Sequence, residues 1–425
     1  MAALLLPPLP ARLLRYPAAA AMAPCRLGLG VVGGYKWRGT GRCTALSSLR
    51  AGVSVRKSLV FLGTPNVAAA VLRRLVRAAE AEEGAVPFEI KAVVTQPARP
   101  KGRGKKVVPS PVAEAAAELG FEEATTDGAP MPDRPILAFP TAKDEALLAY
   151  LEAVQPDLCV TAAYGNFLPK RFLAIPKAGT LNVHPSLLPR FRGAAPVQRA
   201  LEAQEHETGV VVAYTVLKMD SGPVLASHTI DAAPGAVDPA TGTPVGDMDA
   251  PALLDYLFER GADCLVEELG KEDVWTGAAR ETRAVPQDDA MACEAPMIAK
   301  AEGYLAPAEQ TADAIHAQAR AFAGWPGCTA LMAFVAEDDD VAGASRDDAV
   351  EVKVLETRLI NIDADCNVPS PGVLAWQPAC KAWWLGCAGG GAVEVVRLQN
   401  PGKKPVDGAA FRNGHQGEKA VVFSV

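Results

Sequence analysis

No aspartate or glutamate occurs before Glu80, although the first 57 residues carry nine bases: Arg12, Arg15, Arg26, Lys36, Arg38, Arg42, Arg50, Arg56 and Lys57. Proline and arginine at positions 7, 8, 10, 12 and 15 interrupt any apolar core, which argues against a secretory signal. An alanine- and arginine-rich stretch without acids instead predicts an organellar transit peptide over 1–57. Serines are few there (Ser47, Ser48 and Ser54), so the expected destination is the mitochondrial matrix, with the plastid stroma as alternative. No run of 18 apolar residues free of proline and charge is present, so no membrane-spanning helix is expected. The nine cysteines (Cys25, Cys43, Cys159, Cys264, Cys293, Cys328, Cys366, Cys380 and Cys387) are odd in number and form no C-x-x-C pair. That pattern argues against structural zinc and a disulfide framework, and reduced thiols suit an organelle matrix. Histidine is scarce too. His206, His228, His316 and His415 lack companions at metal spacing, so no metal is expected and the four read as uninvolved. Gly63-Thr64-Pro65 is followed by no G-x-G-x-x-G or Walker pattern, and reads as a turn at a topological edge.

Beyond residue 57 there are 33 bases against 49 acids, a balance of −16. An acidic body excludes general nucleic-acid binding by net charge, so any RNA contact must be local. The densest basic cluster is Arg99, Lys101, Arg103, Lys105 and Lys106; of the twelve residues in 95–106, nine are Gly, Pro or basic. Such a stretch cannot form a helix and predicts a mobile loop, either a solvated charge run or a probe that enters an RNA groove. The adjacent Trp383 and Trp384 would point to opposite faces of a strand, one of them into a core.

Strand-like runs at 59–62, 90–95, 158–162 and 180–184 alternate with helical ones at 67–79, 111–119 and 146–154. This alternation predicts βαβ units and a mostly parallel, Rossmann-like sheet. Two further strands, 209–217 and 223–230, precede a long helix over 252–269 that begins behind Pro251. From about residue 301 the texture changes to one helix, 312–322, and short strands such as 350–355, 372–376 and 392–398, which predicts a small β-rich barrel. The expected division is a catalytic domain over 58–290, a linker over 291–308 and a barrel over 309–425. Segments 122–134, 234–249 and 337–348 are rich in Gly, Pro, Ala or acids and read as solvated insertions.

The stretch from Leu181 to Gly193, Leu-Asn-Val-His-Pro-Ser-Leu-Leu-Pro-Arg-Phe-Arg-Gly, concentrates the chemistry. At strand period two Asn182 and His184 leave the same face roughly 7 Å apart, far enough for a carbonyl to sit between them. The prolines that follow end the strand, and in open α/β sheets ligands bind at strand ends. With its continuation through Leu201, this run resembles the signature of the folate-dependent formyltransferases, closest to those acting on methionyl-tRNA. The resemblance extends to Val60-Phe61-Leu62-Gly63-Thr64-Pro65, to the basic loop at 95–106, to Lys218-Met219-Asp220-Ser221-Gly222, and to Phe322-Ala323-Gly324-Trp325-Pro326-Gly327 at the entry to the barrel.

What the resemblance implies is specific. Asn182, His184 and Asp220 would be the catalytic set, and Ser186, Leu187, Leu188 and Pro189 would line the site of the formyl donor, 10-formyltetrahydrofolate. Arg103 would read the acceptor stem of initiator methionyl-tRNA, with Lys105, Lys106, Lys300, Lys403 and Lys404 as further tRNA contacts on an oligonucleotide-fold-like barrel. A formyl transfer passes through a tetrahedral oxyanion, for which an amide and an imidazole are suitable donors, while Asp220 would hold the ring and its tautomer. The linker departs from the family pattern: it keeps Lys300 without the other lysines, and has Ala306-Pro307 where an acid and an aromatic are usual. A monomer is expected. Competing readings are a relative acting on a small amine or hydrolysing the formyl donor, which would not need the basic loop, and a non-catalytic RNA-binding protein, which would not need the three catalytic residues.

A reporter fused behind residues 1–60 is expected to enter an organelle of a eukaryotic cell, scored by co-localisation microscopy. Cytosolic or secreted fluorescence would refute the transit reading.

Overall fold

The computed structural model describes residues 56–81, 86–101, 106–124, 130–361 and 367–424. The expected transit segment, apart from Arg56 and Lys57, lies outside the described residues, as do Arg103, Lys105, Cys25, Cys43 and Cys366.

The chain opens with strand β1 (Lys57–Gly63), helix α1 (Asn66–Glu80) and strand β2 (Phe88–Thr95). A short ribbon follows, β3 (Arg99–Lys101) with β4 (Lys106–Val108), then α2 (Pro111–Glu118), β5 (Glu122–Glu123), β6 (Pro135–Ala138) and α3 (Glu145–Val154). Next come β7 (Leu158–Ala162), α4 (Lys170–Leu173), β8 (Thr180–His184), β9 (Arg192–Gly193), α5 (Pro196–Glu202), β10 (Glu207–Tyr214) and β11 (Val224–Asp231). The half ends with β12 (Val237–Asp238), β13 (Thr243–Pro244), α6 (Ala250–Leu269), α7 (Glu272–Thr276), α8 (Ala279–Thr282) and β14 (Glu294–Ala295).

Its main sheet runs β11-β10-β8-β7-β1-β2-β6-β5. The six strands from β8 to β5 are parallel, and β10 and β11 join antiparallel at one side. β1 reads as an unbroken apolar run because both of its faces are covered: Leu59 and Phe61 join the core beneath α1 and α6, Val60 and Leu62 the core beneath α3 and α4. Helix starts are written locally. Ser110 accepts the Ala113 N–H at 3.0 Å ahead of Pro111, and Asp249 accepts the Ala252 N–H at 3.0 Å. After β1 the chain builds towards β6, then returns to lay β7 on the other side of β1. The switch point is therefore between β1 and β7, and Gly63-Thr64-Pro65 stands at the centre of the sheet, which corrects the expectation of an edge turn.

The second half contains α9 (Ala312–Ala321), β15 (Cys328–Ala336), β16 (Val350–Leu359), β17 (Val373–Gln377), β18 (Ala382–Gly386), β19 (Ala392–Gln399), β20 (Val406–Asp407), α10 (Gly408–Gly414) and β21 (Glu418–Phe423). Six strands, β16-β15-β21-β17-β18-β19, close into an antiparallel barrel through the β16–β19 pairing, and β20 adds to β19. Rossmann-like domain and barrel thus match the expected fold class. Trp383 is fully buried, with its indole N–H donating to Gly408 O at 3.0 Å, and Trp384 packs against Ala392, Ile360 and Val368. Both tryptophans are core residues, although strand alternation predicts only one.

One supposed insertion belongs to the body, and another starts on the sheet. At the start of 122–134, β5 pairs with β6 at the sheet edge, while 125–129 lie outside the described residues. In 234–249, Asp238 is buried, accepts from the Tyr256 hydroxyl, and lies 2.9 Å from His228 Nε2. Arg320 of α9 donates to Gly246 O and to Met248 O at 2.9 Å, so that segment is clasped by the barrel half. Gly, Pro and acid content marks a segment as polar, yet fixed donors elsewhere in the fold satisfy that polarity as water would. Segment 337–348 is largely exposed turns.

Gly261 of α6 lies against β8 and β10: a Cβ there would fall 2.5 Å from Val183 Cγ1 and 2.7 Å from Val210 Cγ2. Gly261→Val is expected to destabilise the fold by about 1–3 kcal/mol in urea titration, the usual cost of overpacking. An unchanged midpoint would show that α6 can move away from β8.

Candidate active site

The crevice beyond the carboxyl ends of β1, β7 and β8 opens into a cavity of 680 Å³. Pro65 and Asn66 after β1, Tyr164 to Leu168 after β7, and Asn182 to Pro185 at β8 supply its lining, with Asp220 and Met219 entering from the turn after β10. The three residues expected to be catalytic therefore face one space. Parallel register sets Asn182 beside Thr161 of β7, whose hydroxyl donates to the Asn182 Oδ1 at 2.7 Å.

His184 is 5 % exposed, and its two nitrogens meet different neighbours. Nδ1 lies 3.0 Å from the Ser186 Oγ, and that hydroxyl donates to Arg190 O at 2.8 Å. A hydroxyl has one proton, so Ser186 must accept at Nδ1, and the neutral ring carries its proton there. Nε2 lies 3.3 Å from the Asp220 Oδ2 without hydrogen-bond alignment and has no other partner among the described residues. This divides the labour differently from the expectation that Asp220 fixes the tautomer. Ser186 holds the tautomer, while Asp220 faces the nitrogen left without a hydrogen bond.

Asp220 sits in a left-handed backbone conformation, φ +47°, at the turn after β10. Its Oδ2 accepts the Gly193 N–H at 2.9 Å. Burial pushes its carboxyl up, and the His184 ring in its charged form, the Gly193 N–H and the Arg192 guanidinium together outweigh that, holding it below the ordinary carboxylate range. The turn is held by Gln287, whose amide donates to Asp220 O at 2.8 Å and Gly222 O at 2.6 Å while its oxygen accepts from Arg192 at 2.7 Å. Gly222 is obligatory, since a Cβ there would come within 1.7 Å of Tyr214 O.

The other expected contacts are placed as follows. Ser186 to Pro189 do not line the cavity; Ser186 is buried beneath His184, and Leu188 packs on Val211 and Ala213. Lys106 is exposed on β4, so the basic stretch is a β-ribbon at its base and not the wholly mobile loop that its composition predicts; Arg99 donates to Gln96, which in turn donates to Tyr164 O at 3.2 Å. Lys300, Lys403 and Lys404 are exposed, and Lys300 follows Met297 of the cavity rim by three residues. Sequence reasoning misses Thr161, Gln287 and the Tyr164-Gly165-Asn166 stretch. One signal points to Thr161, the lone hydroxyl in the apolar run Leu158-Cys159-Val160-Thr161-Ala162. No cluster of three metal-ligating side chains occurs among the described residues.

Comparison with known proteins shows the family. Residues 56–241 match the family model described as formyl transferase, and residues 297–416 match that of the formyl transferase C-terminal domain. The methionyl-tRNA formyltransferase of Roseiflexus sp. is 36% identical over 359 residues, 84% of this chain and 92% of that protein. That of Pseudomonas paraeruginosa is 34% identical over 84% of this chain and 96% of its own length. Among solved structures, HypX from Aquifex aeolicus in complex with tetrahydrofolic acid superposes with a TM-score of 0.48 at 15% identity, covering 84% of this chain and 47% of that one.

A folded-state pKa below the unfolded value means that ionised Asp220 stabilises the fold fully above about pH 4 and that this contribution is lost as pH falls through the folded value. Asp220→Asn, which tolerates the left-handed backbone, is expected to cost stability near neutral pH and progressively less below about pH 4. Urea unfolding of both proteins at the two pH values checks this; a difference that grows on acidification would contradict the depressed carboxylate.

Proposed function

Since the chain belongs to the methionyl-tRNA formyltransferase family and is a transferase enzyme, we propose that its cavity moves a formyl group from 10-formyltetrahydrofolate to the amino group of initiator methionyl-tRNA, for translation initiation in an organelle. The observation that carries the catalytic reading is a free donor and a free proton acceptor on one wall. Asn182 has its amide oxygen occupied by Thr161, which leaves Nδ2, and His184 has Nδ1 occupied by Ser186, which leaves Nε2. One donor for the oxygen of a tetrahedral intermediate and one base for the attacking amine, on one face, suit formyl transfer.

In this mechanism the methionyl nitrogen attacks the formyl carbon, a C–N bond forms, and the carbonyl oxygen becomes anionic. Asn182 Nδ2 donates to that oxygen. His184 works through Nε2 alone, because its Nδ1 proton is committed: as a bare nitrogen it takes the proton released by the attacking amine, and as N–H⁺ it returns that proton to the departing folate nitrogen as the original C–N bond breaks. Asp220 stabilises the charged ring, and the Gly193 N–H and Gln287 keep the carboxylate in place. Folate would enter the cavity beside Tyr164 to Leu168 and Pro185, and acceptor-stem RNA beside Arg103, with Lys105, Lys106, Lys300, Lys403 and Lys404 on phosphates. Support for the RNA side is the ribbon's anchorage, through Gln96, to the cavity-lining Tyr164.

Purified protein given charged initiator tRNA and the formyl donor is expected to yield formylmethionyl-tRNA, separated from the free form by acid gel. Formylation of a small amine alone would replace this reading with that of a small-molecule relative. Asn182→Ala, His184→Ala and Asp220→Ala are each expected to lower turnover at least about 100-fold with modest loss of folate binding. Near-normal turnover in any one removes it from the set. Arg103→Ala is expected to weaken use of methionyl-tRNA by about 1–3 kcal/mol in transition-state terms without changing folate affinity. Equal losses with a small amine acceptor would mean that Arg103 shapes the site and reads no RNA.

A further inference from the structure

Thr161 is the only hydroxyl-bearing residue of β7, and it is buried. A hydroxyl in such a strand is costly unless it is bonded, so its partner matters. Two acceptors lie within reach, the Asn182 Oδ1 at 2.7 Å and Leu181 O at 3.3 Å. The single proton belongs to the nearer one.

The two ends of a carboxamide are nearly equal in size and opposite in chemistry, and half a turn about the last bond exchanges them. With Oδ1 drawn to Thr161, the amide presents its N–H₂ end to the cavity. In the exchanged state a carbonyl oxygen would face the developing oxyanion, converting a stabilising dipole into a repulsive one. We infer that Thr161 is a positioning residue for formyl transfer, selecting the Asn182 rotamer whose donor end faces the reacting carbonyl. The inference rests on the proposed role of Asn182 as an oxyanion donor. Shape alone does not make this selection, because a valine would fill the same space and prefer neither end of the amide.

Steady-state kinetics of the full chain with methionyl-tRNA and 10-formyltetrahydrofolate test it. Thr161→Val is expected to lower kcat about 10-fold, less than loss of the donor itself, with KM for both substrates within about 2-fold. Thr161→Ser keeps the hydroxyl and is expected to stay within about 3-fold of the parent. In an Asn182→Ala background, measured by single turnover with excess enzyme, Thr161→Val is expected to add less than about 2-fold, because nothing remains to orient. Parental kcat for Thr161→Val, or the same 10-fold loss without Asn182, would overturn the inference. Should the valine variant fail to fold, Thr161→Ala against Thr161→Ser makes the same comparison. If Asn182→Ala itself is near normal, the donor role fails and the inference with it; if Asn182→Ala is crippled while Thr161→Val is not, the inference alone fails.

Discussion

The Ser186 hydroxyl has one proton, and the Arg190 carbonyl takes it. Everything at the reactive end of His184 follows from that commitment. Because Ser186 can only accept from the ring, Nδ1 is the protonated nitrogen of the neutral imidazole, and Nε2 is left facing Asp220 and the cavity. The run that supplies Ser186 and Arg190 is the same irregular segment that ends β8, so the prolines there do more than stop a strand. They turn the chain back beneath the histidine it has just delivered.

The Asp220 side depends on close backbone approach. Gly193 donates to the carboxylate and also pairs with Ala295 of β14, with a Cβ at Gly193 falling 2.6 Å from Ala295 O. The segment between the halves is thus pinned at the site, and at its other end Leu305 donates to Thr329 O at 2.9 Å in the barrel. Arg199 of α5 meets Glu302 at 2.7 Å between those points. The Asp220 carboxylate and the route into the second domain share one glycine.

Much of this is legible in the amino-acid sequence. The period-two spacing of Asn182 and His184 and the prolines after them place two donors on one face at a strand end by local geometry alone, and the alternation of apolar strands with helical runs makes a mostly parallel sheet the natural outcome. Less legible are contacts between residues far apart in the chain. Gln287 bonds to a turn 65 residues earlier, and Arg320 satisfies carbonyls more than 70 residues away. A polar segment such as 234–249 reads the same whether water or a distant guanidinium satisfies it, and that is why a segment with the composition of a solvated insertion proves to be structural. Trp384 escapes strand-pattern reasoning for a similar reason, since its cover comes from Ile360 and Val368, outside its own strand.

The sequence by itself determined the chemistry on offer: an amide, an imidazole and a carboxylate in recognisable local settings, a parallel α/β half, and a β-rich half behind it. Those are consequences of short-range steric and hydrogen-bonding rules acting within a few residues. Only the tertiary structure decided which nitrogen of His184 is held and which is free, which end of Asn182 faces the cavity, and where the carboxylate is braced. Each of these is settled by a single proton or a single close contact supplied across the fold, by Ser186 bonded to a returning loop, Thr161 on a neighbouring strand, or Gly193 beside the linker. A linear pattern names the donors and acceptors, but their pairing depends on distances that only the folded chain creates.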